Sequence, residues 1–477
     1  MNASSITAAE LPPIIQGGMG VGVSGWRLAR AVSLAGQLGV VSGTMIDVVI
    51  ARTLQLGDEG GHIRRALEAF PYPAMAGRLL KRHFIDGGKA ADAPFKSTPM
   101  MAFPPSTPSL ELGVLATFVS IWLAKEGHDG KAGLNLLEKS QLPTMAALYG
   151  AMLAGVDVVL MGAGIPRQIP GILDHLAAGT AAELRLDVTG ADRTITVTFD
   201  PDHFCHTPPK QLKRPLFLAI VSSPVLAENL RRKASGKVDG FVVEASIAGG
   251  HNAPPRGPMQ LSEKGEPVYG PRDQIDVSKF RDIPLPFWLA GGYGTQGKLR
   301  EAQAEGAMGI QVGTAFALTQ ESGFDPALKA KIIDGIRHDR LEIFTDASAS
   351  PTGFPFKIAQ LSETLSELPV YEHRERICDL GVLRETYMKA DGSVGFRCSA
   401  EPAELYLAKG GDSARVKGSA CLCNSLGASI GLGQVRPNGD VEPPLITLGD
   451  DVASIRSMLP PEGTEYSAAQ VIEQLLA

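Results

Sequence analysis

Apolar runs that stop at glycine alternate with segments of helical spacing along most of the chain. "PPIIQGGMG" is such a run, and "WRLARAVSLAGQL" behind it places its apolar residues on one helical face. The unit returns as "AGLNLLEK" with "LPTMAALYGAMLAG", as "RPLFLAIVSS" with "PVLAENLRRKAS", and as "LPFWLAGGYG" with "TQGKLREAQAEGA". "GVVSGT", "VDVVLMGAGIP", "VDGFVVEASIAGGH" and "MGIQVGTAFAL" complete the series. Strands are therefore predicted near Ile14, Val41, Leu134, Val159, Phe217, Val243, Trp288 and Ile310. Continuous apolar runs belong to strands covered on both faces. Helices between them make neighbouring strands parallel. The pattern predicts a (β/α)8 TIM barrel, an architecture of about 250 residues before insertions.

Two stretches break the rhythm. Residues from about 55 to 130 are rich in Pro and Lys and show little periodicity, which predicts an irregular or helical insertion after the second strand. "AAELRLDVTGADRTITVTF" alternates with period two around a glycine, which predicts a β-hairpin at about 180–200. From Glu321 the strand–helix alternation stops. The expected organisation is a barrel over residues 1–320 and an appended, mostly helical C-terminal region over 321–477.

Composition narrows the class. The chain has 477 residues, 44% hydrophobic and 20% charged, with net charge −6. That is ordinary globular composition, and it leaves no basic footprint for nucleic acid. "MNASSITAAELPP" has neither the basic start nor the apolar core of a secretory signal. The most membrane-like stretch, Gly113–Ala124, falls short of the roughly 20 residues a span needs. A cytoplasmic protein with no membrane partner is expected, and homo-oligomerisation is left open. The five cysteines suit reduced thiols or a metal rather than a disulfide framework.

Glycines cluster where the predicted strands end, on the face that carries active sites in parallel barrels. The clusters are Gly17, Gly18 and Gly20; Gly249 and Gly250; Gly291, Gly292 and Gly294; and Gly313 with Thr314. Bare backbone lets N–H groups approach a ligand closely. The last two clusters follow strands seven and eight, where barrels commonly hold phosphate, so a phosphorylated cofactor is expected. Gly20, Gly22 and Gly25 also give a G-x-G-x-x-G spacing. A dinucleotide site would need an acidic residue ending the second strand. Ser42, Gly43 and Thr44 stand there instead, with Asp47 beyond them.

With these segments in place, the sequence resembles the nitronate monooxygenase (2-nitropropane dioxygenase) family of FMN-dependent TIM barrels. That family is related to the FMN-dependent enoyl reductases of bacterial lipid and polyketide synthesis. The resemblance rests on "PPIIQGGMG", "LNLLEK", "EASIAGGHNA" and "WLAGGYGTQGKLREAQAEGAMGIQVGTAF", in that order, over roughly residues 10–320. It implies FMN, with Gln16, Gly17, Gly18 and Met19 beside the flavin ring and Asn135 touching it. It implies the phosphate at Gly291, Gly292, Gly313 and Thr314, and His251 over the flavin in the substrate pocket. The sequence departs from the family in three places. "QGGMG" stands where many members have Ala-Pro before the Met. "EASIAGGH" is longer than the common Glu-Ala-Gly-Gly-His and closer to the polyketide-type reductases. The insertion and the cysteine-bearing tail are foreign to the compact enzymes.

The resemblance implies oxidation of alkyl nitronates with O2. A histidine there can hydrogen-bond nitro oxygens or take a proton from a neutral nitroalkane. A second reading keeps FMN and reduces an enoyl thioester or a quinone with NAD(P)H. A third makes the barrel a flavin-binding or assembly module. Glu244, at a strand end, is expected either to position the flavin or to be an ordinary carboxylate. Lys139 is a candidate for balancing flavin or phosphate charge. His203 and His206, flanking Cys205, read as surface residues. Cys378, Cys398, Cys421 and Cys423 are candidate metal ligands, although only "CLC" is tightly spaced. Otherwise they are small buried hydrophobes.

Overall fold

The computed structural model describes residues 7–205, 207–460, 463 and 465–477. Its centre is an eight-stranded parallel sheet. The strands are β1 (Ile14–Gln16), β2 (Gly39–Ser42), β3 (Ala132–Leu137), β4 (Val158–Gly162), β5 (Leu216–Val221), β6 (Gly240–Glu244), β7 (Phe287–Ala290) and β8 (Gly309–Val312). Each lies where the apolar runs predict it. Neighbours follow chain order, and β8 returns to β1 with Ile14 opposite Ile310. The seam between β1 and β2 is closed by backbone hydrogen bonds to Leu38. Its N–H donates to Ile14 O at 3.1 Å, and its carbonyl accepts from Gln16 N–H at 3.0 Å.

The continuous apolar runs arise because both strand faces are covered. Ile15, Val40, Leu160, Leu218, Val242 and Trp288 fill the lumen, with Leu11 from the N-terminal segment packed against them. Ile14, Val41, Val159, Phe217, Val243 and Leu289 face the helices. Trp288 satisfies its indole N–H on Pro12 O at 3.2 Å.

The insertion, expected to be irregular or helical, carries the helices His62–Glu68, Pro73–His83 and Thr107–Lys125. Thr107–Lys125 has no amphipathic period because helices Trp26–Leu34, Ile46–Gln55 and Thr144–Leu153 surround it. It corrects the reading of Gly113–Ala124 as too short to cross a membrane. Its 19 residues are long and apolar enough by length and composition, and 72% of its apolar window is buried in the protein. The hairpin forms as expected, Ala182–Leu186 against Ile195–Phe199.

The tail corrects the expectation of a mostly helical region. Helices such as Pro326–Arg337 and Leu422–Ala428 alternate with two antiparallel ribbons. One pairs Glu342–Asp346 with Phe356–Gln360, the other Glu385–Met388 with Val394–Arg397. Burial does not alternate along these four strands, so they register no period of two. The last helix, Ala468–Leu476, buries Val471, Ile472 and Leu475. It packs on helices Trp26–Leu34 and Lys298–Ala304, filling the outer ring beside β8 and β1.

Candidate active site

The C-terminal strand ends and the tail enclose a cavity of about 220 Å3. Gly17, Gly18 and Met19 enter its wall after β1, and Asn135 enters from β3. Gly249, Gly250 and His251 enter after β6, Gly291 and Gly292 after β7, and Gly313 and Thr314 after β8. The topology thus gathers nearly all the expected site residues at one place.

Two expected residues stand elsewhere. Gln16 is fully buried outside the wall; its amide accepts from Val40 N–H and donates to Ser24 Oγ, both at 3.0 Å. It locks β1 to β2 and the following turn. Lys139 turns to Glu138 and Asp187, at 3.7 and 3.5 Å. It lines a second chamber of about 320 Å3 between β2, β3 and the tail. Thr44, Leu136, Leu137 and Leu383 line both spaces, so the two adjoin.

Glycine is required at two points. A Cβ on Gly18 would lie 2.3 Å from Asn135 Cβ, so only bare backbone passes that side chain. Gly291 and Gly292 turn the β7 end with φ of +84° and +81°, the left-handed region where side chains are strained.

His251 is held by the tail. Its Nε2 lies 2.7 Å from Ser350 Oγ, which lies 2.8 Å from Thr352 Oγ1. The ring meets Phe356 edge-on, with centroids 4.8 Å apart. Around it, Lys357 N–H donates to Gly250 O at 3.0 Å and Asn252 N–H to Pro355 O at 2.9 Å. Burial pushes the His251 pKa down to about 4, leaving a neutral imidazole at neutral pH. Glu244 ends β6 in the same wall, and burial alone pushes its pKa up to about 7.

The sequence did not signal the groups that complete the wall. Thr447 Oγ1 accepts from Gly250 N–H at 2.8 Å, and Thr314 Oγ1 accepts from Gly449 N–H at 2.9 Å. Ser350 and Thr447 lie 99 and 197 positions from their partners, so no local pattern marks them. Gln311 did leave a signal, as an amide inside the apolar run "GIQVG". Its Oε1 is buried without a hydrogen-bond partner, and its side chain borders Gly17.

His203 is exposed, as expected, and His206 lies outside the described residues. Cys378, Cys398, Cys421 and Cys423 come together around one small cavity in the tail. Among the described residues, no three His, Cys, Asp or Glu side chains gather in a way that would hold a single metal ion.

Residues 175–358, from the hairpin region through β8 into the first tail ribbon, match the family model for nitronate monooxygenase. Over that segment the chain is similar to the nitronate monooxygenase family. A probable nitronate monooxygenase of Staphylococcus haemolyticus is 29% identical over 143 residues, which cover 29% of this chain and 38% of that protein. The match therefore spans well under half of that relative. Among solved structures, FabK from Thermotoga maritima is 18% identical, with 98% of this chain and 91% of that one covered and a TM-score of 0.48. Nitroalkane oxidase from Streptomyces ansochromogenes is also 18% identical, with 98% and 94% covered and a TM-score of 0.43. The nitronate monooxygenase match includes His251, Gly291, Gly292, Gly313 and Ser350, and so takes in the strand ends opposite β1 and the tail's hold on the histidine.

Proposed function

We propose that the protein is an FMN-dependent oxidoreductase that oxidises alkyl nitronates with O2. The carrying observation is the glycine-walled cavity at the strand ends, with His251 and Glu244 in its wall. Its donor set suits FMN. Bare backbone at Gly17 and Gly18 leaves a flat wall for the ring, and the orphaned Gln311 Oε1 offers an acceptor to a ring N–H. Peptide groups at Gly291, Gly292 and Gly313, with the Thr314 hydroxyl, would hold the phosphate. The flavin, when bound, supplies the electron transfer and the reaction with oxygen.

The chain's own residues bind, orient and move a proton. Neutral His251, fixed by Ser350, orients the nitro oxygens by hydrogen bonding. Glu244, with a pKa near neutrality, is matched to take the proton from a neutral nitroalkane. A nitronate arrives without that proton and does not need it. The same reading places the protein in the cytoplasm with a small-molecule substrate. The second chamber favours an alternative, reduction of an elongated enoyl thioester or a quinone with NAD(P)H, because it extends the cavity past Leu136 and Leu383.

The visible spectrum of the purified protein, followed without oxygen as an alkyl nitronate is added, tests these readings. Flavin bands that bleach with the nitronate are the expected result. Bands that resist it but bleach with NAD(P)H select the reductase. No flavin bands after FMN is added would overturn both.

A further inference from the structure

The charged residues lining the second chamber are Asp47, Lys139, Asp187, Arg384, Glu385 and Arg415. Lys139 and Asp187 lie 3.5 Å apart, and Glu385 meets Arg397 at 2.8 Å. Asp47 accepts Val48 N–H at 2.9 Å, and burial pushes its carboxyl up toward the neutral acid. Among the described residues, Arg384 and Arg415 form no ion pair.

Both guanidiniums are nevertheless fixed. Arg384 donates through Nε to Gly381 O at 2.9 Å and through Nη2 to Met101 O at 2.6 Å. Its guanidinium carbon lies 4.4 Å from the centre of the Phe396 ring. Arg415 donates through Nη2 to Pro351 O at 2.7 Å. Carbonyl oxygens orient a guanidinium without neutralising it, and each arginine keeps N–H donors beyond these bonds. Both residues are half-buried, so each charge is drawn part-way from water and left without its opposite. A planar donor fork held ready in this way is suited to a carboxylate or a phosphate.

Much of the remaining wall suits a hydrocarbon. Met45, Ile46 and Leu380 line the chamber, and Leu136, Leu137 and Leu383 line it and the candidate flavin cavity alike. We propose that the second chamber binds an apolar chain ending in an oxyanion, a carboxylate or a phosphate ester, held by Arg384 and Arg415, with the chain directed past Leu136 and Leu383 toward the flavin cavity. A small nitroalkane leaves both arginines unpaired, whereas an anion-ended chain pairs them. Both arginines belong to the tail, so the tail selects the substrate as well as bracing His251. That the far end of the chain reacts rests on the proposed oxidoreductase reading. The anion site does not, and it survives if the flavin reading fails.

The test is isothermal titration calorimetry on the full chain at pH 8, with butanoate, octanoate, octyl phosphate and 1-octanol as probes. We expect octanoate or octyl phosphate to bind about tenfold or more tighter than the alcohol, the scale of a hydrogen bond to a charged group. The tighter of the two tells carboxylate from phosphate. Affinity should rise severalfold from butanoate to octanoate as added methylenes are buried along the apolar wall. Arg384→Gln and Arg415→Gln should each shrink the anion's advantage over 1-octanol by about tenfold. Arg232→Gln, on an exposed helix face elsewhere, should keep it. If Arg384→Gln does not fold, Arg415→Gln decides. Equal affinity for anion and alcohol would overturn the proposal. So would no binding of either eight-carbon anion, no rise with chain length, or an advantage that survives the arginine substitutions. Calorimetry needs no turnover, so its failure is distinct from failure of the oxidoreductase reading, which the nitronate titration decides.

Discussion

Burial moves Glu244 and His251 in opposite directions because it disfavours the charged form of each. At neutral pH, Glu244 is near its midpoint while His251 is already neutral. Turnover of a neutral nitroalkane should therefore rise with pH along a limb centred near 7 that belongs to Glu244. Glu244→Gln should erase the limb and lower the rate by about 10²–10⁴-fold, the usual worth of a positioned base. His251→Asn should lower the rate and keep the limb. A pH–rate profile in which the limb survives Glu244→Gln places the base elsewhere.

The same carboxyl affects stability. A folded pKa raised to about 7 leaves stability intact below the ordinary carboxylate range and removes it as pH rises toward 7. In flavin-free protein, Glu244→Gln should raise Tm at pH 8 and leave it unchanged at pH 4. The gain should be at most about 3–4 kcal/mol, at 1.36 kcal/mol per pKa unit. Melting curves at the two pH values check it. The positions of His251 and Glu244 were legible in the sequence, but their titration was not. Burial comes from side chains that the sequence does not place beside them.

At the scale of elements, the first tail ribbon works as a brace. Residues 355–357 pair with the loop around His251, and Ser350 meets its Nε2. Ser350→Ala removes one hydrogen bond from a buried imidazole, worth about 1 kcal/mol, or roughly fivefold. That loss should fall on kcat more than KM, because the brace orients the ring rather than adding substrate contacts. Steady-state kinetics on a nitroalkane separates the two. An unchanged kcat would leave the brace without a role in turnover. The barrel strands were legible as elements because coverage on both faces writes continuous apolar runs. Helix Thr107–Lys125 was not, because burial all round erases the helical period. The tail ribbons were not, because burial does not alternate along their strands and so writes no period of two.

At the scale of the molecule, the expected boundary at residue 320 divides a chain whose two parts share a core. Ile446, Leu448, Ile455, Tyr466, Val471, Ile472 and Leu475 belong to the same apolar cluster as Ile14, Leu28, Phe217 and Ile310. Fully burying one Val, Ile or Leu side chain contributes about 1.5–3 kcal/mol. The three buried in the last helix alone approach the net stability of a typical domain, about 5–15 kcal/mol. We therefore predict that a chain ending at Ser467 is insoluble or melts without a cooperative transition. Residues 1–320 alone should fail in the same way, while the full chain melts in one transition seen alike by circular dichroism and tryptophan fluorescence. Trp26 and Trp288 report on the barrel and Trp122 on the insertion, so the far-ultraviolet signal is what carries the tail. A soluble 1–320 fragment with its own cooperative melt would show that the barrel folds alone and that the tail only docks on it. The tail's hold on His251 would then be a removable brace rather than part of the core.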